Sequence, residues 1–116
     1  MAIFGCLYLK NGTQIVSEAW IKEPTTGHVL AYPPTTWYGY LWWIKNDVAV
    51  NDSARTYNFF LASGGGGQVI CILPSLDLVV AMTANNYSAD DQAGIHPAFS
   101  ILLDYIFPAV EEKNAQ

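Results

Sequence analysis

Residues 64–87 read GGGGQVICILPSLDLVVAMTANNY, four glycines leading into two apolar runs at 69–73 and 76–82 with Pro74-Ser75 between them. Val69, Ile70, Ile72, Val79 and Val80 are β-branched, and such side chains suit a pleated surface. Each run has strand length and a Pro-bearing turn separates them, which predicts an antiparallel hairpin. Both faces of each strand are apolar, so the hairpin belongs inside a sheet covered on both sides. The glycines carry no Cβ. A ligand or a second backbone can therefore approach closely where the first strand begins.

Upstream of the glycines, Tyr57–Ala62 forms a short strand that runs into Ser63. Before it lies Trp37-Tyr-Gly-Tyr-Leu-Trp-Trp-Ile44, which reads as a strand. Alternation then puts Tyr38, Tyr40, Trp42 and Ile44 on one face and Gly39, Leu41 and Trp43 on the other. Such an aromatic stripe either packs a core or lines a cleft. Residues 45–55, KNDVAVNDSAR, read as a polar excursion, and residues 24–36, PTTGHVLAYPPTT, as a loop.

Helices flank this region. Ile3, Phe4, Leu7 and Tyr8 have helical spacing over 2–10, and Asn11-Gly12 supplies the stop. Nothing precedes this helix to cap it, so the chain reads as one that begins inside its first helix. Ser17 is the N-cap of a second helix over 18–23, ended by Pro24. A last helix starts at Pro97. Its stripe of Phe99, Leu102, Leu103, Ile106 and Val110 faces the sheet, Pro108 kinks or ends it at Phe107, and the tail EEKNAQ is solvated. Residues 85–94 are a polar loop. The order predicts an α+β fold: one unit over 1–116, with an antiparallel sheet of about four strands covered by N-terminal and C-terminal helices.

Composition narrows the partners. Apolar residues make up 52% of the 116 positions and charged residues 13%, about half the ~25% of an ordinary domain. Part of that apolar surface is expected to belong against something else. A net charge of −5 without a Lys/Arg patch argues against nucleic acid. No apolar run reaches the ~18 residues of a membrane span, and the N-terminus has no signal-peptide pattern, which leaves the compartment open. Cys6 and Cys71 lie far apart in apolar settings and read as buried free thiols before they read as a disulfide.

No complete catalytic apparatus is present. None of Ser17, Ser53, Ser63, Ser75, Ser88 and Ser100 has Lys three residues on, and no G-x-S-x-G occurs. His28 and His96 stand alone and read as surface or hydrogen-bonded residues. Asp90-Asp91 reads as a solvated pair or a helix-start feature, with no metal or cofactor implied. The glycines precede a strand and lack G-K-[ST], so they are not a phosphate loop.

Three ordered motifs nonetheless resemble a known family: Tyr38-Gly-Tyr-Leu-Trp-Trp, Phe60-Leu-Ala-Ser-Gly-Gly-Gly-Gly-Gln68, and Ile72-Leu-Pro-Ser-Leu-Asp-Leu-Val-Val-Ala-Met-Thr83. Together with Met1–Gly12 and Gln14–Trp20, they look like the C-terminal part of the serine β-lactamase-related hydrolases. That family includes class C β-lactamases, D-alanyl-D-alanine carboxypeptidases, esterases and 6-aminohexanoate-dimer hydrolases. The resemblance implies a partial β-lactamase/transpeptidase-like fold. It also implies that the nucleophile, its Lys base and the Tyr of Y-x-N lie upstream of this sequence, so the chain alone has no catalytic residue and is inert. The family's Lys-Thr-Gly or His-Thr-Gly motif falls on Ala62-Ser63-Gly64. Ser63 would then contact the substrate, Gly64 would let it lie against the strand, and the Gly65 N–H would serve the oxyanion hole. Ala62 replaces the usual cation, which points away from carboxylate-bearing lactams and towards an ester or amide. Otherwise Ser63 is a polar strand-end residue, and the chain a non-catalytic interaction module that kept the sheet. Expected partners are the substrate of the complete protein, the missing N-terminal portion, or a second copy.

Overall fold

The computed structural model describes residues 1–12, 15–50, 55–85, 87 and 96–116. The Asp90-Asp91 pair, Ser53, Ser88 and most of the 85–94 loop lie outside the described residues.

Six strands form one antiparallel sheet: β1 (Val29–Tyr32), β2 (Thr36–Tyr38), β3 (Trp43–Ala49), β4 (Thr56–Gly64), β5 (Gln68–Leu73) and β6 (Leu78–Met82). Each pairs with its successor in sequence, giving the order β1-β2-β3-β4-β5-β6. Helices α1 (Ala2–Leu9) and α2 (Glu18–Lys22) precede the sheet. After it come α3 (His96–Ser100), a π-helical stretch (Ile101–Ile106) and α4 (Phe107–Asn114). The α+β architecture follows the sequence pattern, but the sheet has six strands where about four were expected.

The predicted hairpin is present as β5 and β6. Cys71 faces Val80 and Ile72 faces Val79, and a single 3-10 turn at Pro74–Leu76 joins the strands. Asp77 takes the left-handed conformation that closes the turn, at φ 50°. Alternate residues of β5 do open onto two different cores. Val69, Cys71 and Leu73 pack with Phe59, Leu61 and the C-terminal helical segment, where Leu102 and Phe107 are fully buried. Ile70 and Ile72 pack on the opposite side with Tyr8, Ile21 and Trp42, under α1.

The two extra strands come from the region read as loop plus one long strand. Val29–Tyr32, inside the expected loop, pairs with β2. The stretch Trp37–Ile44 is two strands, because it folds back over residues 39–42. Gly39 N–H donates to Trp42 O at 2.9 Å, closing that turn, and Leu41 sits at φ 66°. The aromatic stripe is thereby broken up: Trp42 is buried against Tyr8, Tyr38 packs on Trp43, and Tyr40 points outward. The polar excursion is also a strand as far as Ala49. A bulge between Lys45 and Val48, with Asp47 at φ 52°, disguises its alternation.

The helix ends carry their expected signals. Ser17 accepts from the Trp20 N–H, which makes it the N-cap of α2. Pro108, expected to kink or end the last helix at Phe107, does not end it. The backbone widens into the π-helical stretch just before it, which accommodates a ring that has no N–H to give. The tail is helical as far as Asn114 and is pinned at Glu111, whose carboxylate accepts from the Tyr57 hydroxyl at 2.7 Å and from Arg55 at 3.1 Å. Cys6 and Cys71 are both free thiols. Burial pushes the Cys71 thiol up to about 12.

Candidate functional site

The end of β4 is the place where the sheet leaves a flank open. Its pairing with β3 stops at Leu61, opposite Trp43, whereas its pairing with β5 continues through Ala62, Ser63 and Gly64. Ala62–Gly64 therefore have a strand partner on one side only. A concavity of about 370 Å³ lies there, lined by Ser63, Gly64, Trp43, Tyr38, Gln68 and Met1. Leu41 and Ala62 form its remaining rim with Ile70.

The four glycines divide into two pairs. Gly66 and Gly67 stand at φ 77° and 88°, so the tight β4–β5 turn itself requires them. A Cβ on Gly66 would also collide with the Tyr87 ring, 2.5 Å from Cζ. Gly64 and Gly65 have no such reason in the fold. Neither has a positive φ, a Cβ on Gly64 would meet only Gln68 Cβ at 3.6 Å, and one on Gly65 would meet nothing within 4 Å. Both are exposed, and Ser63 beside them is half-buried. Of the three residues singled out from sequence, Ser63 and Gly64 line the concavity, and Gly65 follows them in the chain outside its lining. The Gln68 side chain at that rim is already committed, donating to Ala84 O.

A second hollow of about 470 Å³ adjoins the first, sharing Leu41 and Ala62 with it. It lies on the α1 side of the sheet. Aromatic residues from three separate segments wall it, together with Glu23. His28 lies outside its lining and touches two residues of it, Tyr40 and Glu23. The imidazole stacks on Tyr40 at 4.4 Å and 9°, with Nε2 at 2.9 Å from Glu23 O and 3.6 Å from Glu23 Oε1. His28 is thus the hydrogen-bonded histidine that the sequence suggested. His96 is the first residue of α3 and does not stand in a loop.

Lys45 is a polar residue of note that the sequence reading passed over. It is half-buried on β3 and donates to the buried Thr36 hydroxyl at 2.7 Å, with Nζ 4.8 Å from the Phe99 ring centre. Burial lowers its pKa below the usual lysine value. The only sequence signal was one Lys in a polar stretch, and only the pairing of β2 with β3 brings Thr36 opposite it.

Among the described residues, no group of three or more His, Cys, Asp and Glu side chains is placed to hold a metal ion. No described helix is long and apolar enough to cross a membrane. Compared with family models, curated proteins and solved structures, the chain matches none.

Proposed function

We propose that this chain forms the C-terminal, substrate-binding part of a serine hydrolase of the β-lactamase-related kind. It acts on an ester or amide through an acyl-enzyme whose nucleophile and base come from an N-terminal portion. Ser63 contacts the substrate's acyl group. Gly64 lets the substrate lie along β4, and Gly65 N–H donates to the developing oxyanion. Ala62, in the place of a cation, suits an uncharged group there. The partial β-lactamase-like fold belongs to the same proposal.

The observation that carries this reading is the division of the glycines. Gly64 lines a concavity with Gly65 next to it in the chain, and the chain's own packing does not call for their lack of a side chain. Backbone bared beside a hollow is what close approach of a substrate needs.

The test is to combine the chain with a family segment carrying S-x-x-K and Y-x-N, and to follow hydrolysis of p-nitrophenyl acetate and a simple anilide. Turnover is expected in the combined protein and not in either part. Substituting Gly65→Pro, which removes the N–H, is expected to lower kcat about 100-fold, the typical loss for one oxyanion donor. Absence of ester and amide hydrolysis in a soluble, folded combination sinks the reading.

The exposed apolar side chains Ile3, Phe4, Trp20, Tyr40 and Leu41 support a second reading, a non-catalytic interaction module that pairs with another protein or with its own copy. Sizing of the purified chain across a concentration series separates the two. A concentration-independent monomer that also fails to join the catalytic segment rules out the hydrolase reading and pairing with a second copy.

A further inference from the structure

The 470 Å³ hollow falls within the range of small-molecule sites, ~300–1,000 Å³. Tyr8 and Trp42 form its buried floor, and Phe4, Trp20 and Tyr40 form walls that stay about half exposed. Glu23 is the one charged residue in this lining among the described residues.

Its outer wall is held in place from behind. Tyr40 N–H donates to Pro24 O at 3.0 Å, and Gly39 N–H donates to Trp42 O at 2.9 Å. A Cβ on Gly39 would stand 2.0 Å from Pro24 O, so only glycine lets the turn seat so closely. Leu41, the next residue, is 79% exposed in the left-handed region, where bulky side chains are rarely found. The fold thus holds Tyr40 and Leu41 out at the mouth of the hollow. His28 ties this wall to the acid, stacked on Tyr40 and bonded to the Glu23 carbonyl.

We propose that this pocket binds a small organic cation with an apolar body, an aryl- or alkylammonium. Aromatic faces attract a cation placed over them, most strongly where water is excluded. The Glu23 carboxylate supplies the counter-charge at the rim. The chain's net charge of −5 raises the local concentration of cations and opposes anions. A neutral body of the same shape gains only the apolar contact. The proposal does not depend on the hydrolase reading, because it concerns binding to residues other than Ser63, Gly64 and Gly65.

Trp20 and Trp42 line the pocket, so tryptophan fluorescence reports its occupancy. The full chain is titrated with benzyltrimethylammonium, benzyl alcohol and phenylacetate. The ammonium is expected to give a saturable change with a Kd about tenfold below that of the alcohol, with phenylacetate weakest. Glu23→Gln and Tyr40→Ala are each expected to weaken ammonium binding by about threefold to tenfold, with Tyr40→Phe restoring it. Urea unfolding shows which variants keep the fold, and Tyr40→Phe supplies the comparison if Tyr40→Ala does not. Equal affinity for alcohol and ammonium overturns the proposal. So does a Glu23→Gln chain that binds the ammonium as tightly as the parent, or the absence of any saturable change.

Discussion

Cys71 and Ile72 are neighbours in β5 and equally buried, yet they open onto unlike halves of the molecule. On the Cys71 side the C-terminal helical segment closes the sheet. Phe107 is fully buried there, with its ring edge-on to Phe59 at 5.3 Å and to Tyr57 at 5.1 Å. On the Ile72 side α1 and α2 cover only part of the sheet. Tyr8 and Trp42 are buried, but Phe4, Trp20, Tyr40 and Leu41 stand around a hollow. The same strand, reading odd and even residues, packs into a closed core on one face and into a partly covered one on the other.

Truncation should expose this asymmetry most sharply. Phe107→Ala is expected to cost about 3–5 kcal/mol, by urea denaturation, because it removes a large ring from a filled core. A loss under ~1 kcal/mol would mean the closed face is as loose as the open one. Gly39→Ala is next, at about 1–3 kcal/mol, since the added methyl meets backbone that must move. Its further signature is a change in tryptophan fluorescence, because the turn that carries Tyr40 shifts next to Trp42.

Alkaline pH separates the faces chemically. The Cys71 thiol is raised from 9.0 to about 12 by burial, so the folded chain holds its proton more tightly than the unfolded chain does. This contribution is constant below pH 9.0 and is lost as pH rises towards about 12. Stability should fall by about 1.4 kcal/mol per pH unit across that window. Tyr57, raised to about 12 by burial and by its bond to Glu111, adds to the fall above pH 10.0. Urea midpoints from pH 8 to 10.5 should show the decline, less steep in Cys71→Ala. A flat profile would show that the closed face admits water. The smallest effect is on the open side. Leu41→Gly is expected to be neutral or to stabilise by up to about 1 kcal/mol, because it relieves a left-handed backbone and removes no buried surface. A clear loss in thermal unfolding would show that Leu41 packs more than its exposure suggests.

The closed face was legible in the sequence and the open one much less so. β5 and β6 announce themselves through β-branched runs split by Pro74-Ser75, and the stripe of Phe99, Leu102, Leu103 and Ile106 fixes the helix that covers them. Ser63, Gly64 and Gly65 were singled out through the family resemblance, and β4 runs on past the expected end at Ala62 to Gly64. β1 was missed because four strand residues lie between Gly27-His28 and Pro33-Pro34, where turn composition dominates. The break at residues 39–42 was missed because Gly39 fits strand alternation as well as a turn, and Leu41 gives no hint of its positive φ. The aromatic pocket was legible only as the option that the stripe carrying Tyr40 and Trp42 lines a cleft. Phe4, the Trp20–Glu23 pair and Tyr40 come from separate segments, and only the packing of α1 and α2 over the turn brings them together.

Because every strand pairs with its sequence neighbour, the sheet can assemble as a zipper. Each added strand closes only a short loop, so the entropy lost at each step is small. Local contacts of this kind favour fast folding. The Arg55–Glu111 and Tyr57–Glu111 contacts are the opposite case, joining residues 56 and 54 positions apart. The packing of α1 on β5 and β6 is non-local as well, and docking of the C-terminal helical segment is the event that covers Cys71. Until that event the face containing Cys71 is bare, so for part of its folding the molecule is open on both sides.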